Sequence, residues 1–355
     1  MTPVPNPSEL PPSIIDAGSA LAAFVALQPR LFAIAYRMLG SVSDADDVVQ
    51  DTWLRWEQAS LTARSAEAML VTIATRLSLD RLRAGQRRRE EHVGPWLPEP
   101  LMADQGAPDP GDVTILHESM GVAFLTMLER LSGPERAALL LHDVFGYPHA
   151  EVALMIDETV ANSRQLVSRA RRRLSGPHHG PHPRPPTDVA NEMVMRFIVA
   201  ASSGDVPTVM SLCAPDVSLT SDGGPHRRAA RYEVVTPHRV SRLWTNITKR
   251  YLDMPQPLCG VEFGRANGDV AMSIRYGDRI DFVAGFQCDI HGVFRIWIVL
   301  DPAKLRHLNA PGRTWRPTEA SSGARIALTA PLSPLAENRP WSETQRPVNS
   351  AFPAP

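Results

Sequence analysis

Apolar positions recur at helical spacing over much of the first half of the chain. Ala45, Val48, Val49, Thr52 and Trp56 share one helix face, while Asp44, Asp47 and Asp51 fall on another. Ser43 followed by Asp46 has capping-box spacing, with Asp in place of Glu or Gln, and predicts the start of that helix. A further helix is predicted over residues 66–83, with Leu70, Ile73, Ala74, Leu77 and Leu82 inward. Ser132-Gly133-Pro134-Glu135 reads as another helix start, capped by Ser132. Within 143–174 the pattern predicts a helix over His149–Ile156, a turn at Asp157-Glu158, and a second helix N-capped by Thr159. Ser163, Leu166, Val167, Ala170 and Leu174 form the apolar face of that second helix.

The period changes in the second half. Helical spacing covers 188–201, 206–212 and 237–251. Beyond Pro257 the text becomes strand-like, punctuated by Asn267-Gly268, Gly277-Asp278 and His291-Gly292 as hairpin turns. Helices followed by an antiparallel meander indicate an α+β domain. Pro-rich stretches at 93–112 and 175–186 divide the chain, and the Pro, Ser and Thr content of the tail predicts disorder. The resulting organisation is multidomain: an all-α piece at 17–91, a linker at 92–112, an all-α helix-turn-helix piece at 113–174, a linker at 175–186, an α+β domain at 187–308 and a disordered tail at 309–355.

A helix that packs on one side and presents Asn162, Arg164, Gln165, Ser168, Arg169 and Arg172 on the other suits a DNA major groove. Arg can bond guanine bidentately, and Asn or Gln can bond adenine. A solvated Arg-rich helix in an ordinary bundle has the same pattern, so both readings stay open on spacing alone. Composition sharpens the question. The formal net charge is −1 over 355 residues, so a nucleic-acid surface must be local. The basic residues do cluster, at Arg76, Arg81, Arg83, Arg87, Arg88 and Arg89 and again over 164–173. Only Lys249 and Lys304 are lysines; a coding bias is the simplest account of that.

Other chemistry is sparse. Cys213, Cys259 and Cys288 are odd in number and far apart, which argues against a disulfide framework or a zinc knuckle. Neither metal-ligand spacing nor a phosphate-binding Gly loop is found, so no cofactor and no metal are expected. The HHGPH run at 178–182 reads as linker. The N-terminal residues do not resemble a signal peptide, and no apolar run reads as bilayer-spanning. A cytoplasmic protein without membrane contact is expected.

Several segments occur in the order found in bacterial sigma factors of the extracytoplasmic-function type. LFAIAYRMLGSVSDADDVVQDTWLRW at 31–56 resembles the polymerase-docking helix of sigma region 2, MLVTIATRLSLDRLRAGQRRRE at 69–90 the promoter-melting part, and ANSRQLVSRARRRL the reader helix of region 4. The resemblance implies core RNA polymerase and promoter DNA as partners. It assigns polymerase binding to Asp46, Asp47, Gln50 and Asp51, promoter contact to Arg76, Arg81, Arg83, Arg87 and Arg88, and upstream-element reading to Asn162, Ser163, Arg164, Gln165, Ser168, Arg169 and Arg172. Met69 stands where many relatives carry an aromatic residue, and Asp157 where relatives often have Gly.

GPWLPEP at 94–100 and the appended α+β domain narrow the resemblance to sigma factors fused to a cone-shaped SnoaL-like domain. Two motifs of that group occur in altered form: Asp222-Gly223-Gly224 followed by Pro225, and Asp301-Pro302-Ala303-Lys304-Leu305. The resemblance implies a built-in regulator, with Asp222, Gly223, Gly224, Asp301, Pro302, Lys304 and Leu305 contributing to intramolecular contact with the sigma modules. Asp222, His226, His238, Asp269, Asp281 and His291 are candidate acid/base groups, but no spacing among them specifies a dyad, and no enzymatic activity is expected. The alternative is a DNA-binding adaptor whose C-terminal domain is a small-molecule sensor or an enzyme.

Overall fold

A computed structural model of the chain describes residues 17–59, 65–90, 92, 94–102, 121–175, 183, 185–225, 227–252, 258–276 and 279–309. The tail from 310, most of both linkers, the 178–182 run, His226 and the Gly277-Asp278 turn lie outside the described residues.

The first helical piece packs α1 (Ala17–Leu39), α2 (Val42–Ala59) and α3 (Ala66–Glu90) against one another. Of the predicted inward positions, Ala45, Val48, Val49, Thr52, Trp56, Leu70, Ala74, Leu77 and Leu82 are buried and Ile73 is half-buried. The start of α2 differs from expectation. Ser41, rather than Ser43, is the cap: its hydroxyl accepts from the Asp44 N–H at 3.1 Å. The carboxylate of Glu99 then accepts from the backbone N–H groups of Val42 and Ser43, at 2.8 and 3.2 Å. A distant acid thus completes a helix N-terminus whose first N–H groups have no partner within the helix.

Contrary to the reading that no apolar run is bilayer-length, Gly18–Leu39 is long and apolar enough to cross a membrane. In the fold it is a packing helix. Leu31, Ile34, Ala35, Tyr36 and Met38 are fully buried, and Arg37 is buried among them. Its carbonyl at Ala20 accepts the indole N–H of Trp56 at 2.9 Å.

The second piece contains α4 (Val122–Leu128), α5 (Gly133–Leu139) running into a π-helical turn (Leu140–Val144), α6 (His149–Ile156) and α7 (Val160–Leu174). Ser132 and Glu135 form the predicted capping box, and Thr159 caps α7 by accepting from Asn162 N–H at 3.1 Å. Asp157 closes α6 in the left-handed conformation, at φ 59°. Asp tolerates that region better than most side chains, which explains how it replaces glycine there. The two helical pieces share one apolar cluster, running from Phe24 and Trp56 through Leu70 and Leu139 to Val152, Leu166 and Ala170.

The C-terminal domain places α8 (Thr187–Ser202), α9 (Val206–Ser211) and α10 (Pro237–Leu252) against a six-stranded sheet of order β2-β1-β6-β5-β4-β3. The strands are β1 (Cys213–Asp222), β2 (Val234–Val235), β3 (Leu258–Ala266), β4 (Asp269–Tyr276), β5 (Arg279–Asp289) and β6 (Gly292–Val299). The meander β3 to β6 turns at Asn267-Gly268 and His291-Gly292 as predicted. β1 has no counterpart among the predicted elements; it pairs parallel with β6, so the sheet is mixed. Pro215 and Asp216 interrupt its alternation, and its register shifts between Cys213 and Ser218. Phe197, Trp244 and Phe286 join helices to sheet through aromatic contacts with ring centroids 5.2–5.9 Å apart.

The left-handed Asp157 yields a stability test. Asp157→Gly is expected to keep or raise the thermal midpoint, and Asp157→Val to lower stability by about 1–2 kcal/mol. Equal midpoints for the two variants would contradict the strain at this turn.

Candidate nucleic-acid interface and linker clamp

The reader face of α7 forms much as expected. Arg164, Gln165, Ser168, Arg169 and Arg172 are exposed, with Leu166, Val167 and Ala170 buried beneath them. Asn162 is half-buried and donates to Glu158 at 2.7 Å. Ser163 is a correction: it is fully buried, and its hydroxyl sits 3.1 Å from Nδ1 of His149, so it packs the two helices together and presents nothing to a groove. Two arginines outside the reading set serve the fold. Arg171 holds Asp143 through two bonds of 3.0 and 2.7 Å, and Arg173 pairs with Glu135.

The basic end of the first piece also departs from expectation. Arg81, assigned to promoter contact, bridges the acidic face of α2. Its guanidinium lies 3.1 Å from Asp47, 2.9 Å from Asp51 and 3.6 Å from Asp44. Burial opposes its charge, but the bonds from the two nearer carboxylates outweigh that and raise its pKa. Residues placed in two separate functional sets therefore form one charge network. Gln50 is exposed beside it, and Asp46 is half-buried. Arg76 donates to the carbonyls of Met155 and Leu154 at 3.2 and 3.0 Å, capping the C-terminal end of α6. It joins the two helical pieces. Arg83 is exposed and paired with Asp80. The side chains of Arg87 and Arg88 lie outside the described residues.

Further bonds hold the two pieces closed. Arg136, buried, donates to the carbonyl of Met38 at 2.6 Å. Arg30 pairs with Glu67 at 3.2 Å and sits 5.0 Å from the ring centre of Tyr147, whose hydroxyl donates to Glu67 at 2.9 Å. Arg37 lies 5.3 Å from the ring of Phe145. Burial lowers its pKa to about 10, which leaves it charged at neutral pH.

The stretch expected to be a flexible linker is, over 94–102, a clamp between the first helical piece and the C-terminal domain. On one side, the hydroxyl of Tyr36 donates to the Glu99 carbonyl at 2.7 Å, and the Glu99 N–H donates to the Gly40 carbonyl at 2.8 Å. Gly40 has φ +66°, and a Cβ there would stand 2.3 Å from the Trp96 ring, so glycine is required. On the other side, Asp222, with no exposed side-chain surface, accepts from the Leu97 N–H at 2.8 Å and from Lys304 at 2.6 Å. Lys304 also donates to the Leu97 carbonyl and lies 4.3 Å from the Trp96 ring centre. Burial pulls the Lys304 ammonium below the usual lysine range, with Asp222 opposing. His307 bonds the Pro100 carbonyl at 2.8 Å. Asn267 exchanges backbone and side-chain bonds with Leu101 and donates to the Tyr36 hydroxyl at 2.6 Å. Of the seven residues assigned to regulation, Asp222, Lys304 and Leu305 meet the linker here, and the other four lie next to them in the chain. Asp222 pairs with Lys304, Gly224 leaves space that Asp301 fills, Gly223 abuts the Arg227 carbonyl, and Leu305 is buried with Leu97. Pro302 follows Asp301, whose carboxylate accepts from Ala303 N–H at 2.9 Å.

Pattern reading misses Tyr36, Gly40, Trp96, Glu99, Asn267 and His307. The available signal is Trp96 and Leu97, two large apolar residues within an otherwise linker-like composition.

The acid/base candidates do not converge. Asp269 accepts from Gln287 and Trp297, and Asp281 from Arg227 and Tyr251. Asp222 belongs to the clamp, while His238 and His291 are exposed. Burial raises the thiols of Cys213 and Cys288 to about 12, which suppresses nucleophilicity. Among the described residues, no cluster of His, Cys, Asp and Glu has metal-site geometry.

Residues 23–88 match Sigma-70 region 2 and residues 121–174 match Sigma-70, region 4. The chain is 38% identical over 228 residues to the ECF RNA polymerase sigma factor SigJ of Mycobacterium tuberculosis, covering 64% of this chain and 73% of that protein. It is 30% identical over 243 residues to the probable ECF RNA polymerase sigma factor SigI of the same organism, covering 67% and 81%. The crystal structure of SigJ superposes with a TM-score of 0.63 at 32% identity, covering 82% of this chain and 99% of that one.

The clamp makes a direct prediction. Asp222→Ala leaves the Lys304 ammonium buried without its partner and is expected to lower stability by about 3–5 kcal/mol. Asp222→Ala combined with Lys304→Met is expected to recover most of that loss. Chemical denaturation of the full chain reads both; equal losses in the single and double variants would contradict a coupled pair.

Proposed function

The chain belongs to the extracytoplasmic-function sigma factors of the sigma-70 family, and from that premise we propose how its parts divide the work. It binds core RNA polymerase and promoter DNA and directs promoter-specific initiation. In this reading Arg164, Gln165, Ser168, Arg169 and Arg172, with Asn162 at the helix start, read the upstream element from α7. Asp46, Asp47, Gln50 and Asp51 dock polymerase, and Arg81 holds the carboxylates of Asp47 and Asp51 in place until a basic partner competes for them. Arg83, Arg87 and Arg88 remain the phosphate-contacting set of the first piece. The chain works in the cytoplasm, beside its polymerase.

The C-terminal domain, read as SnoaL-like, acts as an attached regulator without catalytic activity. The observation that carries this is the clamp: a single linker segment is bonded at once to the end of α1, to the cap of α2 and to Asp222, Lys304, Asn267 and His307. Region 2 and region 4 share a core in this arrangement, whereas two promoter elements separated along DNA require them apart. The domain therefore stabilises a closed state, and core polymerase selects the open one by binding it more tightly. The absence of convergence among Asp222, Asp269, Asp281, His238 and His291 supports a regulator over an enzyme.

Two outcomes are expected. Arg169→Ala weakens discrimination at the upstream element by about 1–3 kcal/mol if its contact is bidentate, read by run-off transcription from matched and mutated promoters; unchanged preference would remove Arg169 from the reading set. Truncation after Gly180 changes transcription with core enzyme, and identical output from full and truncated chains would refute internal control.

A further inference from the structure

The outer face of α10 has no task in the arrangement above. Its inner face, Val240, Ser241, Trp244 and Thr245, is buried on the sheet and neighbouring helices. Its outer face presents His238, Arg239, Arg242, Asn246 and Lys249, all exposed. No Asp or Glu occurs anywhere in the helix. One of the chain's two lysines stands in this row. Arg228 and Arg231 are exposed on the segment leading into α10, followed by Tyr232, which is 82% exposed.

Within the sigma modules some arginines hold a carboxylate, among them Arg81, Arg83, Arg136, Arg171 and Arg173, whereas Arg164, Arg169 and Arg172 on the exposed face of α7 hold none among the described residues. Among the described residues, Arg228, Arg231, Arg239, Arg242 and Lys249 hold none. In a chain of net charge −1, acids were available to neutralise them. Arg239 to Lys249 spans about 15 Å at 1.5 Å per residue, the rise of four or five phosphates along one strand at about 3.4 Å each. A row of one sign with an amide inside it matches an unbroken line of phosphates. A protein surface would present mixed charge and call for acids within the row.

We propose that the outer face of α10 is a third nucleic-acid contact that takes the phosphate backbone of duplex DNA without reading its sequence. This goes beyond the regulatory reading: the C-terminal domain contributes affinity and salt dependence of its own, in addition to its hold on the linker.

The test uses the full chain and a fluorescein-labelled duplex of random sequence, followed by anisotropy across a salt series. In the variant Arg239→Gln/Arg242→Gln/Lys249→Gln, the slope of log affinity against log salt is expected to shrink by about 3, at roughly 0.9 for each phosphate no longer neutralised. The corresponding Arg239→Lys/Arg242→Lys change should leave the slope in place. Asn246→Glu, which sets a carboxylate into the row without touching the core, should weaken binding and decides the matter if the triple variant does not fold. Random-sequence DNA keeps this separate from upstream-element reading, since Arg169→Ala can fail its own test while the slope change stands. An unchanged slope in the triple variant together with unchanged binding by Asn246→Glu would overturn the proposal. So would loss of core-polymerase binding with DNA affinity intact, or preferential binding of a single strand.

Discussion

An ion pair between the buried Asp222 and the largely covered Lys304 holds one linker residue, Leu97, between its members. The carboxylate takes the Leu97 N–H, and the ammonium takes the Leu97 carbonyl. Neither charge tolerates burial alone: the transfer of each from water costs several kcal/mol after relaxation, and their mutual attraction with extra hydrogen bonds offsets it. That requirement explains the local sequence. Glycines at 223 and 224 let the backbone approach Arg227 and Asp301 closely, and Trp96 covers the ammonium with its ring. The rest of the closed arrangement depends on this point, because the same segment carries Glu99 to the first turn of α2.

The clamp and the shared helical core act on the same equilibrium. Region 2 and region 4 bury apolar surface against each other, and two arginines, the buried Arg136 donating to Met38 and the exposed Arg76 donating to Met155, tie their backbones. In the proposed reading, separated modules span two promoter elements and the fused core does not. The attached domain adds stabilisation to the fused state through bonds that exist only while the linker is seated. Release of the linker removes the Glu99 cap from α2, whose acidic face meets polymerase in the proposed docking. In the proposed reading, one helix terminus couples domain closure to docking.

Much of this is legible in the sequence where chemistry is local. The helix-turn-helix boundaries, the Thr159 and Ser132 caps, the inward faces of α2, α3 and α7 and the meander from β3 to β6 all follow from periodicity and turn residues. What escapes is non-local. The α2 cap lies at Ser41 because the second acceptor, Glu99, comes from beyond α3. Spacing puts Ser163 on the inward face while the resemblance gives it a DNA contact, and the structure follows the spacing, with Ser163 buried against His149. Arg76 and Arg81 carry the charge of a DNA surface, yet their partners are carbonyls and carboxylates distant in sequence. β1 is hidden because a parallel partner far along the chain buries Ser218, Ser221 and Asp222 alongside its apolar residues. The linker reads as a spacer from its Pro content, while its order comes from partners in two other domains.

The central claim is that the seated linker keeps the two sigma modules together. Single-molecule energy transfer between dyes at Gln58 on α2 and Glu151 on α6, both exposed and outside the docking and reading sets, measures it directly in the full chain. The account predicts one high-transfer population for the free protein, a lower-transfer population when Lys304→Met unseats the linker, and the same lower state when core polymerase binds. A transfer efficiency that stays high in the Lys304→Met chain and on the polymerase would contradict it.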